Sequence, residues 1–218
     1  MKKSKIDLSP GNFIVFEGID GSGKSTQIRH LMNKLKSIDF KCYETKEPTD
    51  GPIGSLIHQF MTGRIKTNDK VIAALFVADR LDHLLNNTDG IMDKINNGIS
   101  VISDRYYLSS YAYHGVTLPI KWVIEANSAS ANILRPTCNI FIDIEPKLAL
   151  ERLNRERFHT ELYETYDKLV EVREKYFEAI ELVKSQENII IVDGKLDEIN
   201  LSYSIWEKIS GFFGETTH

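Results

Sequence analysis

The chain is expected to fold as an α/β domain, a five-stranded parallel sheet with helices on both faces. Three observations predict this. Short apolar and β-branched runs alternate with segments of helical periodicity, the pattern of βαβ crossovers. The first apolar run stops at Gly18-x-x-x-x-Gly23-Lys24-Ser25, a phosphate-binding P-loop between a strand and a helix. The 218 residues, 42% hydrophobic and 27% charged, match one soluble domain with a large core.

Taken in order, Phe13–Phe16 is the first strand. Gly18, Gly21 and Gly23 let the following backbone turn tightly and aim its N–H groups at phosphate oxygens. Lys24 supplies a point charge for β- and γ-phosphates, and the Ser25 hydroxyl is placed to ligate Mg²⁺. The helix Ser25–Ile38 carries Ile28, Leu31, Met32 and Leu35 on one face. Lys41–Thr45 is the second strand. The prolines and glycine of Lys46-Glu47-Pro48-Thr49-Asp50-Gly51-Pro52 then make a rigid, non-helical loop. Lys46 either points into the ligand crevice there or is a solvated lysine before a turn.

The helix Asn68–Leu85 places Ile72, Leu75, Phe76 and Leu84 at helical spacing. The third strand, Ser100–Ser103, runs into Asp104-Arg105-Tyr106. A carboxylate at such a strand end can order Mg²⁺, and the adjacent guanidinium can clamp a phosphate. The alternative is a buried Asp–Arg ion pair. The fourth strand, Ile140–Ile144, leads into a helix carrying Arg152, Arg155 and Arg157 among Glu151 and Glu156. These read as a solvated face with local ion pairs or as a flap bringing arginine to a phosphoryl group. Leu162–Val183, with Leu169, Val172, Tyr176 and Ile180 on one stripe, is a further helix. Ile189–Val192 is the fifth strand, and Leu201–Phe213 closes the chain. All five strands read as buried ones, and ligands bind beyond their carboxyl ends.

The net charge of −4 argues against broad binding to nucleic acid. Cys42 and Cys138 show no metal spacing and read as buried, inert thiols in a reducing, cytoplasmic setting. The first ten residues lack the apolar core of a signal peptide, and no stretch suits a membrane span. Residues 1–11 read as an extension to a single domain over 12–218.

The ordered series Phe16-Glu17-Gly18-Ile19-Asp20-Gly21-Ser22-Gly23-Lys24-Ser25-Thr26, Lys46-Glu47-Pro48 and Leu75-Phe76-Val77-Ala78-Asp79-Arg80 resembles the bacterial thymidylate kinases. Asp104 to Tyr113, with Ser109 and Ser110 at its centre, and Arg135-Pro136 extend the likeness. It covers nearly all of the chain from Asn12 onward. It implies a P-loop kinase that transfers the γ-phosphoryl group of MgATP to dTMP, in dTTP biosynthesis, as a homodimer. Phe76 then resembles the aromatic that stacks on thymine, and Arg80 the arginine at the thymine edge. Arg105 and Lys46 resemble the pair on the dTMP phosphate, near Pro48. Asp20 resembles the carboxylate at the sugar 3′-hydroxyl and Tyr113 the tyrosine under the deoxyribose. Ser109 and Ser110 sit where the family places small polar residues near the base.

On the donor side the resemblance assigns Gly18, Asp20, Gly21, Ser22, Gly23, Lys24, Ser25 and Thr26 to the phosphates. It places Arg152 beside adenine and Asp104 at Mg²⁺ through water. The P-loop has no arginine, so catalytic charge is expected from a flap over about 152–163, from Arg155 or Arg157. Two departures stand out. Lys46 occupies the family's arginine position and lacks its bidentate fork. The flap lacks the common Asp-Arg pattern. Other readings are a different P-loop nucleotide or nucleoside kinase, a nucleotide-binding regulator without catalysis, and, less in keeping with the acidic balance, a nucleic-acid-linked ATPase.

Overall fold

Among the described residues five strands build the sheet: β1 (Phe13–Glu17), β2 (Cys42–Lys46), β3 (Ser100–Asp104), β4 (Cys138–Asp143) and β5 (Ile189–Asp193). All neighbours are parallel, in the order β2-β3-β1-β4-β5. The computed structural model describes residues 10–156 and 165–214, without the side chains of Arg155 and Glu156. Arg157 and the rest of the expected flap lie outside the described residues, as do residues 1–9.

β1 lies at the centre because every side chain of Phe-Ile-Val-Phe-Glu can be buried. Its alternation divides the core. Phe13 and Val15 enter one layer, and Ile14 and Phe16 the other. The second layer is closed by α1 (Lys24–Ser37) and α10 (Glu198–Ile209), through Ile28, Leu31 and Leu35 against Leu201, Ile205 and Ile209. The first is closed by α4 (Ile91–Asn96), α5 (Tyr107–Gly115) and α9 (Tyr166–Val183). Each large apolar side chain so buried contributes roughly 1.5–3 kcal/mol, so the loop after β1 rises from the most firmly anchored strand. α2 (Pro52–Met61), α3 (Asp69–Leu85), α6 (Ile120–Ala126), α7 (Ser128–Ile133) and α8 (Pro146–Glu156) complete the helices among the described residues.

The expected α/β sheet is present, with three corrections. β2 and β5 are not buried strands; they form the edges, β2 with no buried residue and β5 with Val192 alone buried. Cys42, on β2, is accordingly part-exposed, whereas Cys138 is buried. Helix α2 follows directly on the expected loop, with Pro52 in its first turn, a start signal of its own. The last helix begins at Glu198 rather than Leu201, because the Asp197 carboxylate caps Ile199 and Asn200 N–H. It ends at Ile209, and a 3₁₀ turn covers Ser210–Phe213.

The register brings the carboxyl ends together. Asp104 lies opposite Phe16 on one side and Lys46 on the other. The segments after β1, β2 and β3 therefore emerge on one rim, where ligands of open parallel sheets bind.

Candidate active site

The P-loop leaves β1 at Glu17 and enters α1 at Lys24. Gly21 and Gly23 have φ of 77° and 95°, and a Cβ on Gly21 would collide with the Ala149 carbonyl. Only glycine meets both demands at little cost. Lys24 is buried, and its Nζ donates to the Gly18 and Ile19 carbonyls, each at 3.1 Å. Burial, reinforced by the nearby Arg105 charge, lowers its pKa to about 8. A phosphate placed alongside would favour its charged form again.

Ser25 Oγ donates to Asp104 Oδ2 at 2.9 Å. Asp104 Oδ1 is buried with no hydrogen-bond partner. An orphaned carboxylate oxygen next to a hydroxyl is a hard-oxygen donor set that fits Mg²⁺ or its waters. No group of three or more His, Cys, Asp or Glu able to hold a metal occurs among the described residues. A metal here would take its remaining ligands from nucleotide phosphates and water.

Arg105 sits just past β3 in a left-handed conformation, φ 75°, which is strained for a residue with a side chain. Its contacts offset that strain. Its N–H donates to the Phe16 carbonyl at 2.9 Å. Nη1 reaches Gly18 O and Ser109 Oγ at 3.1 Å and Tyr176 OH at 3.3 Å. Nη2 pairs with Asp20 and meets Tyr113 OH at 3.0 Å. Tyr113 OH donates in turn to Asp20 Oδ2 at 2.8 Å. Burial alone would raise the Asp20 pKa, but Arg105, Lys24 and the Tyr113 hydroxyl outweigh it and hold the carboxyl below its usual range. The alternative reading, an ion pair between Asp104 and Arg105, is not met: Arg105 pairs with Asp20 instead.

A cavity of about 160 Å³ opens beside this pair, lined by Pro48, Phe76, Arg80, Ser110, Tyr113 and His114 among others. Phe76 is part-exposed and presents itself to the cavity rather than to the core. Arg80, one turn on, is buried on α3. Glu47 Oε2 accepts from its Nε at 2.8 Å and its Nη2 at 2.6 Å. Nη2 also donates to Ser110 Oγ at 3.1 Å, and Nη1 to Asn127 Oδ1. A guanidinium has five N–H donors, so these four contacts leave one for a ligand. His114 meets Phe76 edge to face at 5.0 Å. Burial, with Arg80 adding to it, lowers its pKa to about 4, so it is neutral near pH 7.

The other expected site residues fall on the P-loop side. Gly21, Gly23, Lys24, Ser25, Thr26, Lys46 and Arg152 line one groove with Asp20, Asp104 and Arg105. Arg152 donates from Nη2 to Gly194 O at 3.0 Å and lies near Gly23. The Ser22 hydroxyl is buried without a hydrogen-bond partner. Lys46 does not enter the cavity; its Nζ pairs with Asp50 at 3.1 Å on the surface, which fits the solvated alternative. The Arg155 side chain and Arg157 lie outside the described residues.

Several residues were not singled out by sequence. Glu47 was seen only as part of a motif, and Asn127, His58, Met61 and His114 had no signal of their own. Tyr176 looked like core on an apolar stripe, which it is, yet its hydroxyl reaches the site.

Residues 16–205 match the family model described as Thymidylate kinase. A protein named Thymidylate kinase from Leptospira interrogans is 34% identical over 75% of this chain and 79% of its own length. Proteins named Probable thymidylate kinase show 39% identity in Pyrobaculum aerophilum, over 75% of this chain and 80% of theirs. In Thermococcus gammatolerans the identity is 35%, over 82% and 90%.

Proposed function

The chain belongs to the thymidylate kinase family, and from that premise we propose how its residues transfer the γ-phosphoryl group of ATP to dTMP. The observation that carries the assignment is the cavity holding Phe76 and Arg80, which adjoins the P-loop groove along Asp20, Glu47, Pro48, His58 and Arg105, residues that line both. A planar base fits against Phe76, and the remaining Arg80 donor suits a carbonyl oxygen on its edge. Arg105 is then positioned for the acceptor phosphate, and Lys24 with the P-loop amides for the donor phosphates. Lys46 is a second cation on the groove, available to the acceptor once it leaves Asp50.

No strong general base is needed, since an attacking phosphate oxygen is already ionised near neutral pH. The work left to the protein is alignment and charge neutralisation. Arg105 and Lys24 hold two anions close against their repulsion. Asp20 and Tyr113, joined at 2.8 Å, border the space for the sugar. Arg152 lines the groove near Gly23, and the family resemblance implies a place for it beside adenine. Arg155 or Arg157 brings the flap charge, as the family resemblance implies. Mg²⁺, held by Ser25 and Asp104 with nucleotide phosphates, would neutralise charge on the transferring group. Replacing Asp104 by Asn, or Ser25 by Ala, is expected to raise the Mg²⁺ concentration for half-maximal turnover about tenfold. A Mg²⁺ titration at fixed ATP reads this, and an unchanged midpoint in both variants would remove these residues from the metal site.

Homodimer formation through α3 is proposed on its exposed Val71 and Leu85. A cytoplasmic setting fits the two free thiols. No helix among the described residues is long and apolar enough to cross a membrane.

Coupled ADP release with MgATP and a panel of acceptors tests the whole reading. Strong turnover with dTMP, weaker with dUMP, and little with dCMP, dGMP, dAMP or thymidine is expected. Preference for thymidine would move the acceptor from a phosphate to a hydroxyl and undo the role of Arg105. ATP binding without any turnover would support the regulator reading.

A further inference from the structure

One buried acid plays no part in the assignments above. Glu17, the last residue of β1, has no exposed surface and carries the P-loop on its carboxyl side. Its Oε1 accepts from the Tyr106 N–H at 3.0 Å. Its Oε2 accepts from Ser109 Oγ and from Tyr176 OH, the latter at 3.0 Å. Ser109 Oγ and Tyr176 OH lie 2.7 Å apart, and both receive Arg105 Nη1. One carboxyl group thus fixes the two oxygens that hold one side of the Arg105 guanidinium.

We propose that Glu17 is a positioning residue for Arg105, acting through Ser109 and Tyr176, and that it takes up a proton when the anionic acceptor binds. This rests on the assignment of Arg105 to the acceptor phosphate.

The charges facing Glu17 come from every side of the cleft. The P-loop contributes Lys24 and the end of β3 contributes Arg105, and both of these cations are shared with Asp20 and Asp104. From α5 comes Tyr111, and from α9 Tyr176. The direct partners of Glu17 are an amide and two hydroxyls, whereas Asp20 holds a direct ion pair with Arg105. A phosphate on Arg105 adds negative charge close to both acids and takes up the cation they share. Protonating Glu17 relieves that repulsion at least cost. The acid form keeps its bond from Tyr106 and turns its own proton toward Ser109 or Tyr176, which can accept.

Burial raises the Glu17 pKa to about 7, against the opposing pull of Ser109 and Arg105. Near pH 7 the group is then about half protonated, so saturation with dTMP should draw in about half a proton through it.

The test is calorimetric titration of the enzyme with dTMP at pH 7, in two buffers of different ionisation enthalpy. The wild type should take up about half a proton more per dTMP than Glu17→Gln. The same comparison subtracts proton release from dTMP, whose second phosphate pKa is about 6. Equal proton counts in the two proteins would overturn the proposal. Carboxyl-carbon NMR of glutamate-labelled wild type needs no variant. One resonance should titrate near pH 7 and move to its protonated position with dTMP; a resonance that stays ionised overturns the proposal. Tyr176→Phe, which removes one hydroxyl from the guanidinium, should raise the KM for dTMP several-fold with little change in kcat. Arg105→Ala separates the two levels of the argument. Unweakened dTMP binding there would sink the assignment of Arg105 itself. Weakened binding with equal proton counts would sink only the role of Glu17.

Discussion

Lys24→Ala is expected to lower kcat by about three orders of magnitude, the scale for removing a preorganised charge from a transition state, while the protein becomes more stable. The first part follows from position. Lys24 opens α1 in the P-loop groove, with Asp104, Arg105 and Arg152 around it. The second part follows from its environment. Its pKa falls from 10.5 to about 8 because burial, then Arg105, disfavour the ammonium. A base with a depressed folded pKa adds stability that is present above 10.5 and lost as the pH falls through about 8. At pH 7 the ammonium therefore costs the fold on the order of 1–3 kcal/mol, which the variant recovers in part. Some of it is returned because the Gly18 and Ile19 carbonyls lose a donor. Urea unfolding and steady-state kinetics on the same preparations read both effects. Turnover near the wild-type level would refute the phosphate role. A lower urea midpoint would show that Lys24 holds the loop in shape more than its burial opposes it.

Sequence made this loop legible because its demands are local. Glycines at fixed offsets, an apolar strand before and Lys-Ser-Thr after are all read within about a dozen residues. Asp104-Arg105 was legible for the same reason, as a charged pair at a strand end. What spacing could not supply was pairing. Arg105 turns to Asp20, which lies 85 residues away, and Arg80 turns to Glu47, 33 residues away. The first partner is set by the strand order, which places β1 and β3 side by side, and the second by α3 lying against the segment that follows β2; neither is marked in the sequence. Helix α5 escaped for a different reason. All of its residues except Tyr113 are buried, so it has no polar face and no amphipathic period to detect. The serines and aromatics that make it unremarkable as a pattern are those that serve the site. Phe76 shows the reverse case. Helical spacing alone does not separate it from core residues such as Ile72 and Leu84, and the cavity beside it marks a ligand face.

Arg80→Leu is expected to abolish useful dTMP turnover and to cost about 3–5 kcal/mol of stability. The guanidinium and the Glu47 carboxylate have only 1% and 2% of their side-chain surface exposed. Removing the cation strands a buried carboxylate. His83 Nδ1, 3.1 Å from Glu47 Oε1, remains as a partial substitute. Ser110 and Asn127 lose their donor as well. Recognition fails for a related reason, since the fifth guanidinium donor can meet a carbonyl oxygen but opposes an amino group. Arg80→Lys keeps the charge without the planar fork, so it cannot serve Glu47, Ser110, Asn127 and a base together. It should fold better than Arg80→Leu yet lose most of the preference for dTMP over dCMP. The decisive comparison adds Glu47→Gln to Arg80→Leu. A neutral amide needs no counter-charge, so the double variant should recover much of the lost stability and none of the dTMP turnover. If stability does not recover, the buried pair is not what Arg80 was holding. If turnover recovers with it, Arg80 is a structural cation and the base is read by another residue of the cavity.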